Sequence, residues 1–76
     1  MDWSSIERDW QRYKARAHAR WGEITLGELE LIAGHRERLT GQIHAVYGVS
    51  PDEARTQVRR WLEEQASAEA LDAANT

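Results

Sequence analysis

Residues 3–21 read WSSIERDWQRYKARAHARW, and this stretch decides the fold class. Its apolar residues recur at steps of three or four, at Trp3, Ile6, Trp10, Tyr13, Ala17 and Trp21. This spacing is that of an α-helix, and it places the six side chains within an arc of roughly 80°. Most of the other positions are charged or polar. The pattern therefore predicts one amphipathic helix from Trp3 to Trp21, which begins at a Ser4–Glu7 capping box and ends at Gly22.

A second, short helix is predicted to follow and to end at Gly34. Thr25 and Glu28 have the spacing of a capping box, in which a hydroxyl group accepts a hydrogen bond from a backbone N–H of the first turn. Gly34 has no Cβ, so it can take the left-handed conformation that ends a helix. The expected apolar face of this helix consists of Leu26, Leu29 and Ile32.

A third helix is predicted from His35 to Tyr47, with Gly48 as its stop. Gly41 lies inside this helix, where glycine is less favourable than alanine by up to about 1 kcal/mol. We interpret Gly41 as a point of close approach by another helix or as a local kink. The expected apolar face consists of Leu39, Ile43, Val46 and Tyr47.

The sequence Ser50-Pro51-Asp52-Glu53 marks the start of a fourth helix. It combines an N-cap hydroxyl group, a proline at the first helical position and acidic residues in the first turn. The apolar periodicity continues to Gln65 and is lost in the Ala-rich segment that follows. We therefore predict an all-α fold: a single small bundle of four short helices over residues 1–65, and a frayed or disordered tail over residues 66–76.

Composition narrows the classes of function. A chain of 76 residues forms one domain at most, so a roomy buried active site is not expected. The absence of cysteine excludes disulfides and thiolate metal sites, and we expect a cytoplasmic protein. We expect no secretory signal and no membrane span, because no stretch approaches the roughly 20 apolar residues that a span needs. The net charge of −3 argues mildly against attraction of the whole surface to nucleic acid or anionic lipid.

The residues that could carry catalysis do not form a recognisable site. His35 and His44 would face opposite sides of a helix, so they lack the one-turn spacing of a zinc-binding pair. The serine and threonine residues near helix starts are explained as caps rather than as nucleophiles. No glycine-rich phosphate loop occurs. We expect no enzyme activity and no catalytic, metal-binding or cofactor-binding residues.

One polar pattern stands out on the first predicted helix. We call it the arginine stripe, and it consists of Arg8, Arg12, Arg16 and Arg20, each one turn above the last. Such a stripe can follow a phosphate backbone, and four contacts would predict a log–log salt slope of about −3.6 on duplex DNA. A solvated outer helix face is the simpler interpretation, because arginine is a good helix former. Nucleic-acid contact by the stripe is kept as the alternative.

The aromatic residues also have two interpretations. Trp10, Tyr13 and Trp61 lie centrally on their helix faces, and we expect them to be buried in the core. Trp3 and Trp21 lie at helix ends, where we expect partial exposure. These two residues are therefore candidate contacts for a protein partner.

Glycine and aromatic residues follow one another in a distinctive order along the chain. The landmarks are Trp21-Gly22, Ile24-Thr25, Ile32-Ala33-Gly34-His35-Arg36, Leu39-Thr40-Gly41-Gln42-Ile43, Tyr47-Gly48, Asp52-Glu53-Ala54, Val58 and Trp61. Over about residues 2–62, this order resembles the CsbD-like family of small bacterial stress-response proteins.

The resemblance implies a small bundle of short helices in a bacterial cytosolic protein of the general stress response, without an established activity or cofactor. We expect a non-enzymatic protein, monomeric or weakly oligomeric, that acts through an unknown protein partner or through bulk protection. The alternative function is a nucleic-acid-binding module that uses the arginine stripe.

Overall fold

The computed structural model describes residues 2–74, including the side chains of residues 2–69. Its helices are α1 (Trp3–Arg8), α2 (Trp10–Arg20), α3 (Leu26–Ile32), α4 (Arg36–Tyr47) and α5 (Pro51–Ala74). The all-α prediction is confirmed, because the described residues form helices and no strands. The predicted number of four helices is wrong, because the first predicted helix is divided in two.

The division falls at Asp9, whose backbone leaves the helical region at φ −107° and ψ 37°. Hydrogen bonding continues around this residue. Its N–H donates to the carbonyl of Ser5 at 3.2 Å, and its carbonyl accepts from the N–H groups of Arg12 and Tyr13 at 2.9 and 3.2 Å. The chain therefore leaves helical geometry in a local bend at Asp9, with hydrogen bonds on both sides of it. The apolar periodicity continues through the bend, which is why the sequence pattern does not reveal it.

The cap of α1 differs from the prediction. The helix begins at Trp3, as predicted, but its N-cap is Asp2, so the predicted capping box of Ser4 and Glu7 is wrong. Ser4 lies inside the first turn, and its hydroxyl group donates to the carboxylate of Asp2 at 3.0 Å. The hydroxyl group of Ser4, which was expected to cap the helix, is therefore bound to the carboxylate of Asp2 instead.

The caps of α3 and α5 are confirmed. The hydroxyl oxygen of Thr25 accepts from the N–H of Glu28 at 3.1 Å, and that of Ser50 accepts from the N–H of Glu53 at the same distance. Pro51 is the first residue of α5, where its missing N–H costs nothing. These two starts fix where the chain turns into α3 and into α5.

The turn between α3 and α4 packs directly on α1. Ala33 and Gly34 both adopt the left-handed conformation, with φ of 52° and 81°, so α3 ends earlier than the predicted stop at Gly34. A Cβ atom on Gly34 would lie 2.9 Å from the Cα of Glu7, closer than real Cβ atoms approach. Glycine is therefore required here both by the backbone conformation and by the contact with α1.

The core is centred on Trp61 of α5. The ring centroids of Trp3, Tyr13 and Trp21 lie 5.9, 6.3 and 5.6 Å from that of Trp61. Aromatic pairs in such tilted or edge-to-face geometry contribute about 0.5–1.5 kcal/mol beyond the burial of their area. The predicted burial of Trp10, Tyr13 and Trp61 is confirmed, since these side chains are 5%, 2% and 1% exposed.

Indole N–H groups connect the N-terminal helices to other elements. Trp3 donates to the carbonyl of Gly34 at 2.8 Å, and Trp10 donates to the carbonyl of Leu29 at 2.9 Å. Trp21 donates to the side-chain oxygen of Gln57 in α5 at 3.0 Å. The tryptophans therefore fix the positions of the helices as well as filling the core, because a buried N–H must find a partner.

Helix α5 runs antiparallel to α2. Arg16 donates to the side chain of Gln65 at 3.0 Å, and Tyr13 donates to the side chain of Glu69. A position almost one turn earlier in α2 thus pairs with a position about one turn later in α5. The loss of apolar periodicity after Gln65 does not end the helix, which continues to Ala74. Of the tail that we expected over residues 66–76, the last two residues lie outside the described part of the chain.

Candidate functional site

An open groove lies between α3 and α4. Its volume is about 380 Å³, and it is widely exposed to solvent. Each helix contributes three residues at positions i, i+3 and i+4, which lie on one face of a helical turn. The lining residues are Glu28, Leu31 and Ile32 from α3, and Arg38, Gly41 and Gln42 from α4.

Leu31 projects from the surface beside this groove. It is 77% exposed, more than any other large apolar side chain of the described residues. Helix α3 has seven residues and buries Leu29 and Ile32, so Leu31 lies on the uncovered side. Leu26 was expected on the buried face, but it is 51% exposed, and that part of the prediction is wrong.

Gly41 forms the hollow of the groove. No atom lies within 4 Å of the position that a Cβ would occupy, so the expected close approach of another helix is wrong. Helix α4 continues through this position from Arg36 to Tyr47. The missing side chain leaves space on the surface of α4, next to the projecting Leu31.

The polar residues of the groove carry one acidic and one basic group. The carboxylate of Glu28 accepts from the side-chain amide of Gln42 and from the hydroxyl group of Thr25, which join α3 to α4 and to its own N-cap. The guanidinium group of Arg38 donates to the carbonyl of Leu31 at 3.3 Å, at the end of α3. The groove thus has an apolar centre, a negative corner at Glu28 and a positive corner at Arg38.

The bend at Asp9 divides the arginine stripe between two helices. Arg8 is the last residue of α1, whereas Arg12, Arg16 and Arg20 lie on α2. The guanidinium group of Arg20 stacks over the ring of Trp21, 5.5 Å from its centroid. The stripe is therefore not the single straight row that the sequence suggested.

Arg12 and Arg16 contact α5 and the aromatic ring between them. Arg12 forms an ion pair with Glu69 at 3.2 Å, and Arg16 donates to Gln65. Both guanidinium carbons lie 5.4 Å from the centroid of Tyr13, within the range of a cation–π interaction. Half of the stripe thus takes part in packing between α2 and α5. Nucleic-acid contact by the stripe stays a prediction.

Trp3 and Trp21 are buried, at 9% and 1% exposure, so the expected partial exposure is wrong. The physical reason is that each ring packs on Trp61 while its N–H is held by another element. A position at the end of a helix does not imply exposure when the next segment covers it. The rings of Trp3 and Trp21 face the core. Partner contact by these two residues stays a prediction.

Two shifted pKa values mark contacts between helices. The pKa of the Tyr13 phenol is raised, first by burial and then by its hydrogen bond to the Glu69 carboxylate and by the negative charge there, while Arg12 opposes the shift. The hydrogen bond from Lys14 and its positive charge lower the pKa of Glu30. Tyr13 thus joins α2 to α5, and Lys14 joins α2 to α3.

The histidines hold loops rather than forming a cluster. His18 and His44 lie in the last turns of α2 and α4, and their Nδ1 atoms contact the carbonyl groups of Ile24 and Val49 in the segments that follow. Among the described residues, no group of three or more His, Cys, Asp or Glu residues could hold a metal ion. Over the same residues, no helix is both long enough and apolar enough to cross a membrane.

Sequence reasoning missed the groove because it considered Gly41 by itself and did not consider Leu31. Leu31 carries the signal, since it lies between Leu29 and Ile32 and falls on a different side of the helix from both. Gly41 carries the complementary signal as a glycine inside a helix. Only the packing of α3 on α4 shows that the two residues are neighbours.

The fold and the groove together describe a small all-helical protein with an open, partly apolar groove between two helices. No family model and no solved structure matches this chain. It is 41% identical over 58 residues to a UPF0337 protein of Nitrosomonas europaea, a match that spans 76% of this chain and 62% of that relative.

Other relatives are matched over more of their own length. A UPF0337 protein of Rhodopseudomonas palustris is 34% identical over 62 residues, which are 82% of this chain and 94% of the relative. The UPF0337 protein YjbJ of Escherichia coli strain K12 is 32% identical over 53 residues, 70% of this chain and 77% of the relative. The chain belongs to the UPF0337 family, the name given to uncharacterised proteins of the CsbD-like family.

Proposed function

We propose that this chain is a non-enzymatic, cytoplasmic protein of the bacterial general stress response, and that it acts by binding a protein partner at the groove between α3 and α4. The observation that carries the proposal is the position of Leu31, which is 77% exposed beside an open hollow. The stress-response part comes from the resemblance to the CsbD-like family, which the names of the relatives support.

The composition of the groove favours a partner over bulk protection. Protein interfaces typically combine an apolar centre with a polar rim, and a few apolar side chains supply most of the binding free energy. Leu31 provides such a centre, and Glu28 and Arg38 provide the rim. Bulk protection would depend on the whole hydrated surface of the protein, so it requires no apolar side chain at one defined position.

The test is site-specific crosslinking in bacterial cells under osmotic stress. A photoreactive phenylalanine analogue replaces Leu31 in one variant and Leu26 in the other, because both side chains are exposed but only Leu31 lines the groove. We expect discrete protein adducts from position 31 that position 26 does not give. Absence of adducts at both positions, or the same adducts from both, would overturn the proposal.

Nucleic-acid binding through the arginine stripe is supported less, because Arg12 and Arg16 are engaged with α5. Its test is fluorescence anisotropy with labelled duplex DNA and with RNA. The double variant Arg8→Glu, Arg20→Glu leaves the contacts of Arg12 and Arg16 in place. Binding that this variant abolishes would support the alternative, and failure of the wild-type chain to bind would remove it.

A further inference from the structure

We infer that the groove between α3 and α4 binds a second copy of this chain in a weak two-fold dimer. The inference rests on the proposed function, since it names the partner of the same groove. Three observations carry it: the placement of the projecting and recessed residues, the placement of the two charges, and the shape of the groove.

The first observation is that a projection and a hollow lie side by side on one surface. Leu31 projects, and the missing side chain of Gly41 leaves open space beside it. In a two-fold interface the same surface patch meets itself, so the patch must be complementary to itself. The patch meets this condition when Leu31 of each copy lies on the two-fold axis, because the two leucines then pack on each other and the open space at Gly41 leaves room for them.

The second observation is the arrangement of charge. The hydrogen bonds Glu28–Gln42 and Arg38–Leu31 connect α3 to α4 at two points, so these four residues form the corners of a quadrilateral. Glu28 and Arg38 occupy opposite corners. A two-fold axis along the other diagonal, from Leu31 to Gln42, lays Glu28 of one copy over the partner's Arg38, and the reverse.

The same axis brings the two Leu31 side chains together over the hollow. Each of them would lose much of its 77% exposure, and apolar burial is the favourable term in association. The opposite charges then pair at two symmetric positions, which fixes the orientation of the copies more than it adds affinity. Glu28 keeps its intramolecular partners in this arrangement, because a carboxylate has acceptor sites for several donors.

The third observation, the shape of the groove, argues against other occupants. A small molecule would be only partly enclosed, whereas small-molecule sites typically bury most of their ligand. One acid and one base leave no net charge for the capture of a phosphate or a strongly charged peptide. One exposed leucine and one ion pair from each side make a small contact, which belongs to the weak class of protein interfaces, so the dimer should form at micromolar to millimolar concentrations.

The experiment is sedimentation equilibrium of the purified chain over that concentration range, together with thermal unfolding of every variant. We expect a monomer–dimer equilibrium for the wild-type chain. Leu31→Asp should raise the dissociation constant about tenfold or more, because it removes the apolar centre. Leu26→Ser, which changes an exposed leucine outside the groove, should associate like the wild type.

Gly41→Gln separates loss of association from loss of folding. Nothing lies within 4 Å of the Cβ position, and the flexible remainder of the new side chain can lie in the open groove or in solvent, so one copy can accommodate it. Because it also removes a glycine from a helix, it should raise the melting temperature while abolishing dimerisation. Glu28→Gln keeps a residue that suits the capping box, and it should weaken the dimer through the lost charge alone.

The outcomes distinguish this inference from the proposed function. A wild-type chain that stays monomeric throughout, or a dimer that Leu31→Asp and Gly41→Gln leave unchanged, would overturn the inference. If crosslinks from position 31 to another protein persist in cells in that case, the proposed function stands with a different partner. If they are also absent, both proposals fail.

Discussion

Trp61 and Leu31 are both large apolar side chains on amphipathic helices, but Trp61 is 1% exposed and Leu31 is 77% exposed. Trp61 lies on the longest helix and is surrounded by three aromatic rings from the N-terminal third of the chain. Leu31 lies on a helix of seven residues that is covered on one side. The difference teaches that apolar content alone does not locate the core, because coverage by other helices decides which apolar residues are buried.

The comparison predicts very different losses of stability when each side chain is truncated. Trp61→Ala should lower the free energy of unfolding by about 3–5 kcal/mol, since it opens a cavity among three rings. The free energy of unfolding of a folded domain is typically about 5–15 kcal/mol, so this loss would be a large fraction of it. Leu31→Ala should change it by no more than about 0.5 kcal/mol. Urea unfolding followed by circular dichroism measures both, and equal losses would break the comparison.

Coverage by another helix also distinguishes Gly34, in the turn between α3 and α4, from Gly48, at the end of α4. Both glycines have positive φ, but a Cβ on Gly34 would meet Glu7 at 2.9 Å, whereas nothing lies within 4 Å of that position at Gly48. Gly48→Ala should cost about 1–2 kcal/mol of conformational strain. Gly34→Ala should cost more, about 2–4 kcal/mol, because α1 must also move. Equal costs in denaturant unfolding would show that α1 yields freely at this contact.

How much of this the sequence could reveal differs between elements. The caps at Thr25 and Ser50 are local interactions between residues three positions apart, so residue types alone predict them. The bend at Asp9 keeps the apolar spacing on both sides, so periodicity cannot show it. The burial of Trp3 depends on the distant Gly34 and Trp61, and no local pattern contains that information.

The candidate site was harder to predict than the fold. Its central residues come from two helices, and neither Leu31 nor Gly41 is unusual by itself. The expectation of a close helix approach at Gly41 followed from a sound rule, since an internal glycine does weaken a helix. The structure shows that the glycine faces solvent, so the space that it leaves belongs to the surface and not to the core.

This exposed glycine gives the next prediction, with a smaller effect of the opposite sign. Gly41→Ala should raise the free energy of unfolding by up to about 1 kcal/mol, because alanine is the better helix former and has room for its Cβ. Ala45→Gly, one turn further along the same helix and also exposed, is the matched control and should lower it by a similar amount. Measurements on dilute protein keep self-association out of the comparison. A destabilising Gly41→Ala would mean that the hollow is occupied within the monomer.

The last prediction is a pH dependence of stability that comes from Tyr13 in the aromatic core. The raised pKa of Tyr13 means that the folded state favours the neutral phenol. Its contribution is fully present below the ordinary tyrosine pKa of about 10 and is lost as the pH rises through the higher folded-state pKa. Tyr13→Phe should remove this alkaline loss, and it should cost about 0.5–1.5 kcal/mol at neutral pH through the lost hydrogen bond to Glu69.

The control for this measurement is Tyr47→Phe, which removes the phenol that is 38% exposed. Urea unfolding at neutral pH and above about pH 10 supplies the comparison. If Tyr13→Phe retains the full alkaline loss, another group is responsible for it.

The position of Trp61 in α5, 40 residues after Trp21, also has a consequence during synthesis on the ribosome. Trp3, Tyr13 and Trp21 emerge long before the residue around which they pack. At translation rates of about 5–20 residues per second, the intervening segment takes about 2–8 seconds to produce. During that interval the aromatic face of the nascent chain has no native cover, so it is open to chaperones and to neighbouring nascent chains. Packing of the aromatic core is therefore expected to wait until α5 has been synthesised.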